Sequence, residues 1–263
     1  MSEFPAMHRS KKEIENWKNG PIKEALQQFI FDIDYIISSN FWFLALQKMD
    51  IQDDAIKKEK IFLSDNFDPG PYTTEMTLGD IIDGSKNFEV MFHTRRQIIV
   101  SICCAIETLI NSIWDSAIDP LDRETIQIPS YCASLPVKRW WVISECFNNN
   151  GGRNRHNLKT ISNGFSNDVF KRLQKVFYCR NRIVHHNGIS NEAMLGYPAY
   201  NWGCNRAGGK IEPPQNTIDS IIQGLDNILC HAVFDMYAHS QIFSLPWKAS
   251  ACINPPNETT HNS

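Results

Sequence analysis

Between Phe92 and Ala117 the residues Ile99, Ile102, Cys103, Ile106, Ile110, Ile113 and Ala117 recur at helical spacing. A turn of 3.6 residues lines them up in one stripe, which other elements must cover. The spacing predicts a central bundle helix over 92–117. Similar periodicity predicts helices from Pro21, a good first-turn residue, to about Ser38 and from Phe41 to about Met49. Further helices are expected over Val137–Phe147, Ser166–Gly188 and Thr217–Ile242. Asn148–Gly152 reads as a stop, and Asn66–Tyr72 as a loop by its Pro and Gly content. The stretch 189–216, with Tyr197-Pro198, Gly208-Gly209 and Pro213-Pro214, reads as a long connection of the kind that often carries function. No strand pattern is strong enough to build a sheet. The expected fold is an all-α helical bundle over 85–245, with an N-terminal helical extension at 1–84 and a polar C-terminal tail at 246–263.

A chain of 263 residues with 42% hydrophobic content can build a large core without disulfides or a structural metal. The most apolar run, Ile98–Ile113, is interrupted by Glu107, Thr108 and Asn111, so no membrane span is expected. The first residues lack the apolar core of a secretory signal. None of the eight cysteines forms a Cys-x-x-Cys pair, which reads as reduced, mostly buried thiols in a cytoplasmic protein. Cys204 and Cys230-His231 lack a second pair at zinc-ligand spacing, so no metal is assigned. Cys179 reads as an inert buried thiol.

The net charge of −3 hides a segregation. Lys138–Arg182 carries ten basic and two acidic residues, a local +8, while the remainder of the chain stands at −11. A local positive field of this kind can dock a phosphate backbone. Within it, Arg153, Arg155, Lys171, Arg172, Lys175 and Arg182 are candidate RNA contacts. Trp140-Trp141 and Tyr197–Trp202 offer aromatic faces for base stacking, or ordinary core packing.

One helix breaks its own pattern. At 100° per residue, Val169, Leu173, Val176, Ile183 and Val184 fall within about a 100° arc, and Arg180 lies near its centre. A guanidinium there must snorkel, pair with a buried acid or line a cleft. The best acid for such a pair is Glu107. Beside the arc, Gln174, Tyr178, Asn181 and His185 make a polar strip, with Asn181 and His185 one turn apart. Arg180, Asn181 and His185 thus combine a fixed cation, a hydrogen-bonding amide and an imidazole that can give or take a proton. Such a set can handle a phosphodiester without a metal or other cofactor.

Arg180-Asn181-Arg182-Ile183-Val184-His185 resembles the Arg-x(4–6)-His signature of the HEPN superfamily, the higher-eukaryote and prokaryote nucleotide-binding helical domains. The resemblance covers about residues 85–245. It implies a helical bundle in which the signature helix follows a long hydrophobic one. It also implies a metal-independent endoribonuclease of antiviral, abortive-infection or toxin–antitoxin type, leaving 2′,3′-cyclic phosphate and 5′-hydroxyl ends. The implied partners are RNA, a second copy of the chain with the active site at the homodimer interface, and a regulatory or antitoxin protein. Arg180 would stabilise the phosphate and Asn181 orient it. His185 would be the acid/base, with His186 also at a permitted spacing, and Glu107 and Tyr178 in supporting roles. Asn187 stands where some toxin members carry a tyrosine that a partner nucleotidyltransferase modifies. Two other readings stay open. One is a non-catalytic HEPN module binding RNA, nucleotide or a partner protein; the other is a structural bundle with Arg180 in a core ion pair.

Overall fold

The computed structural model describes residues 7–49, 52–58, 60–62, 75–123, 126, 134–149, 158–195, 202–240 and 246–249. The chain is mostly helical. Helix α1 (His8–Ile14) is followed by α2 (Pro21–Lys48), the short α3 (Asp54–Lys57), strands β1 (Lys60–Phe62) and β2 (Glu75–Thr77), and α4 (Leu78–Ser85). Next come α5 (Phe88–Ala117), α6 (Pro120–Arg123), α7 (Leu135–Asn149), α8 (Leu158–His185) and α9 (Glu192–Leu195). The chain then forms α10 (Gln215–Gly224), a π turn (Leu225–Cys230) and α11 (His231–Ser240).

Helix α5 is the axis. Ile99, Ile102, Cys103, Ile106, Ile110 and Ile113 are fully buried, as their stripe requires, and each isoleucine contributes about 1.5–3 kcal/mol of apolar burial. The helix starts one turn before the expected Phe92 because the Asn87 side chain caps it, accepting from the Glu89 N–H at 2.8 Å. Helix α2 covers one side of α5 with Leu26, Phe29 and Ile33. Helices α7 and α8 pack on α5 through Val137, Trp140 and Ile143 and through Leu173, Val176 and Phe177. The apolar residues of 1–84 therefore enter the same core as those of α5.

Three sequence expectations meet a different outcome. The break expected between Ser38 and Phe41 does not occur. Ser39 Oγ donates back to the Tyr35 carbonyl at 2.9 Å and Asn40 is buried, so α2 continues. Their helix propensities cost only ~0.7 kcal/mol per residue, which packing overrides. Helix α8 begins at Leu158 rather than Ser166, passing through Gly164 without stopping. A small antiparallel ribbon pairs Lys60 with Thr77 and Phe62 with Glu75; three residues per strand are too few to show a period of two. By length and composition alone α2 and α5 are long and apolar enough to cross a membrane, with mean hydropathies of 1.3 and 1.6. In α5 more than half of that apolar window is buried against other helices. The Asn66–Tyr72 loop, residues 150–157 and the tail from 250 lie outside the described residues.

The N-terminal segment 7–17 meets the π turn and α11. Ser10 donates to Asp226 in the π turn, and Trp17 stacks flat on Tyr237 at 3.8 Å with Phe234 edge-on. Cys230 is buried beside Ser10, and burial pushes its thiol up to about 12. Burial also raises Cys103 and Cys179, whereas Cys104, the next residue along α5, is exposed. Among the described cysteines, Cys104 should therefore react first with a thiol reagent at neutral pH. A Cys104→Ser variant should lose that phase, and the buried Cys103, Cys146, Cys179 and Cys230 should label only on unfolding. Fast labelling of Cys103 or Cys179 in the folded protein would contradict this packing.

Candidate functional site

The C-terminal half of α8 turns its apolar side to α5, and Arg180 lies next to that side. Its guanidinium is half-buried, and its charge favours the thiolate of the fully buried Cys103, against the burial that raises that thiol. The Glu107 carboxylate acts on the same thiol in the opposite sense. No ion pair forms between Arg180 and Glu107, and among the described residues Arg180 has no carboxylate partner. Instead Arg180 Nη1 donates to Asn181 Oδ1 at 3.1 Å, while its buried Nε has no acceptor. The ion pair that the structural alternative assigns to Arg180 and Glu107 is thus absent among the described residues. Reaching across two helices depends on rotamers that spacing along the chain does not set.

His185 and His186 occupy the last turn of α8 and are exposed, and neither ring has a hydrogen-bond partner among the described residues. His185 follows Asn181 by one helical turn, which puts the two on one flank. Val184, expected on the buried stripe, is 47% exposed, so the covered face ends at Ile183. Tyr178 does not reach this flank as a free hydroxyl. Its oxygen accepts from Asn191 Nδ2 at 2.6 Å and ties the following loop to α8.

That loop is a clasp. Asn187 and Gly188 adopt left-handed backbone, with φ of 54° and 71°, and the Gly188 N–H returns to the Arg182 carbonyl at 3.0 Å. Asparagine and glycine are the residues that tolerate this region. The chain beyond then pairs with residues 206–211. Ile189 bridges Lys210, the Ser190 N–H donates to the Gly209 carbonyl at 2.8 Å, and the Ile211 N–H donates to the Gly188 carbonyl at 2.7 Å. Ser190 Oγ adds bonds to the Arg206 and Gly209 carbonyls. The clasp docks on the first turns of α5: Lys210 pairs with Glu89 at 3.4 Å, and Arg95 Nη1 donates to the Pro213 carbonyl at 3.4 Å. Burial lowers the pKa of Arg95, and the charge of Asp219 acts against that.

The candidate RNA contacts divide. Arg182 is half-buried at the clasp. Arg172 and Lys175 are half-buried on earlier turns of α8, and neither is without a partner. Lys171 lies on α8, but its side chain is outside the described residues, as are Arg153 and Arg155 altogether. Trp140 and Trp202 are core residues with 1% and 4% exposure, so their faces are not free for bases. Tyr197–Asn201 lie outside the described residues. Sequence reasoning missed Arg96, which α5 brings against Gly188. Gly188 was legible as a helix-ending residue, but its neighbour across the bundle was not.

No family model, curated protein or solved structure matches the chain. The site is therefore read from its own residues.

Proposed function

We propose that this protein is a metal-independent endoribonuclease of HEPN type, acting as a cytoplasmic homodimer in antiviral defence or a toxin system. Its activity would be held in check or triggered by a regulatory or antitoxin protein. The observation that carries this reading is Arg180: a half-buried guanidinium with no carboxylate partner among the described residues, bonded to Asn181 one turn ahead of His185. Such a cation is available to a phosphate, and its anchored position lets it meet charge as charge develops.

In the proposed step a histidine takes the proton of a ribose 2′-hydroxyl. The 2′-oxygen bonds to phosphorus as the bond from phosphorus to the 5′-oxygen breaks, and a second histidine protonates that leaving oxygen. The products are a 2′,3′-cyclic phosphate and a 5′-hydroxyl. A homodimer supplies the second histidine, and exposed Val184 beside His185 gives such a dimer an apolar contact.

The test is cleavage of a mixed RNA pool in EDTA, comparing wild type with His185→Ala, His186→Ala and Arg180→Ala. Cleavage to cyclic-phosphate ends is expected, lost in Arg180→Ala and in one histidine variant, typically by about 10²–10⁴-fold for an acid/base group. Cleavage of RNA that lacks the 2′-hydroxyl at the cut site would overturn the chemistry. One observation favours the non-catalytic module instead: neither histidine ring is oriented by a hydrogen bond among the described residues. RNA binding without cleavage at any dimer concentration would select that reading.

A further inference from the structure

Cations around the clasp differ in how they are balanced. Lys210, bridged to Ile189, has its ammonium set against Glu89. Arg182 and Arg96 have no carboxylate within ion-pair distance among the described residues. Both are instead held by Nε. Arg182 Nε donates to the Ile189 carbonyl at 2.7 Å, and Arg96 Nε donates to the Phe92 carbonyl, one turn back on α5, at 3.3 Å. A planar guanidinium fixed by Nε keeps its Nη donors for an anion's oxygens.

The two groups meet at neighbouring residues. Arg182 touches Ile189, and Arg96 Nη1 lies 3.1 Å from the place a Cβ on Gly188 would occupy. Gly188 is buried with a φ of 71°, so its missing side chain both permits the turn and makes room for Arg96. Two like charges placed beside consecutive residues of one loop repel each other, and an anion seated on both offsets that repulsion. Gly188 is also only three residues beyond His185.

We propose that Arg96 and Arg182 form a phosphate-binding fork that holds the RNA backbone beside the Arg180–His185 site. The fork rests on the ribonuclease reading of that site, and it adds a residue from α5 to a site otherwise built on α8.

Its test is binding of a fluorescent single-stranded RNA over a salt series, in a His185→Ala, His186→Ala background that prevents turnover. Arg96→Gln and Arg182→Gln should each weaken binding. Each should also flatten the plot of log affinity against log salt by about 0.7, the value for one phosphate contact on a single strand. Arg96→Lys should keep the slope while losing affinity, because it retains the charge without the fork. Lys210→Gln should leave the slope unchanged, since Glu89 already balances that cation. Thermal melting checks that each variant is folded. A folded Arg96→Gln with the parent slope, or a Lys210→Gln that flattens it equally, overturns the fork alone. A parent that binds no RNA at low salt overturns the ribonuclease reading, and the fork with it.

Discussion

Arg180→Ala should abolish most RNA cleavage and barely move the melting temperature. Removing a fixed cation from a developing negative charge costs about 10²–10³ in kcat. The stability effect is small for a specific reason. Arg180 gives one bond to the adjacent Asn181 and leaves a buried Nε without an acceptor. Truncation therefore removes a bond worth about 0.5–1.5 kcal/mol together with a burial cost of similar size. No carboxylate is left unpaired among the described residues. For a chain of this length 1 kcal/mol corresponds to roughly 2–4 °C, so the expected shift stays within about 4 °C. The structural alternative predicts the opposite pattern. Breaking a buried ion pair costs about 3–5 kcal/mol, which is about 6–20 °C on the same scale. Paired melting and cleavage measurements on this one variant separate the two.

Gly203→Ala should destabilise the clasp and, through it, the site. Gly203 has a φ of 71°, and a Cβ there would stand 1.9 Å from the Glu212 carbonyl oxygen and 2.5 Å from its carbon. Those are backbone atoms, so relief requires moving the Glu212 peptide. That movement breaks the bond from the Glu212 N–H to the Trp202 carbonyl, now 3.0 Å. The left-handed backbone costs about 1–2 kcal/mol and the lost bond about 0.5–1.5 kcal/mol, giving a loss of roughly 2 kcal/mol or more. Gly208→Ala is the control. Its φ is 79°, but nothing lies within 4 Å of the new Cβ, so only the backbone cost applies. Hydrogen exchange should show faster loss of the Ser190 and Ile211 amides in Gly203→Ala than in Gly208→Ala. Equal protection in the two would mean that the clasp adjusts freely around residue 203.

Features set by local periodicity were legible in the sequence, and features set by meetings across the bundle were not. The α5 stripe is readable because every member repeats within one helix. Arg180 stands out for the same reason, as a charge on an apolar arc. Its partner is a different matter: Glu107 lies on another helix, and only the approach of α8 to α5 decides that the two do not pair. The clasp is invisible for the same reason, since Ile189 and Lys210 meet through backbone hydrogen bonds that leave no mark on residue type. Arg96 sits on the first turns of α5, ahead of the stripe, and its role depends on a glycine more than ninety positions away. The π turn is hidden as well, because Ile218, Ile221, Leu229 and Val233 fit a continuous helix closely enough to mask it.

The bond between Ser10 and Asp226 spans 216 positions of the chain. During synthesis at about 5–20 residues per second, that interval lasts roughly 10–40 s. Helix α2 gains its cover from α5 well before then, and α1, which pairs with α2 through Lys11 and Asp34, lacks its second contact until the π turn has been made. The residues of the candidate site leave the ribosome earlier than the segment 202–213 that clamps them to α5. A nascent chain thus carries Arg180, Asn181 and both histidines before their support exists. Competence at this site therefore waits on the segment 202–213, which is made after every residue of the site.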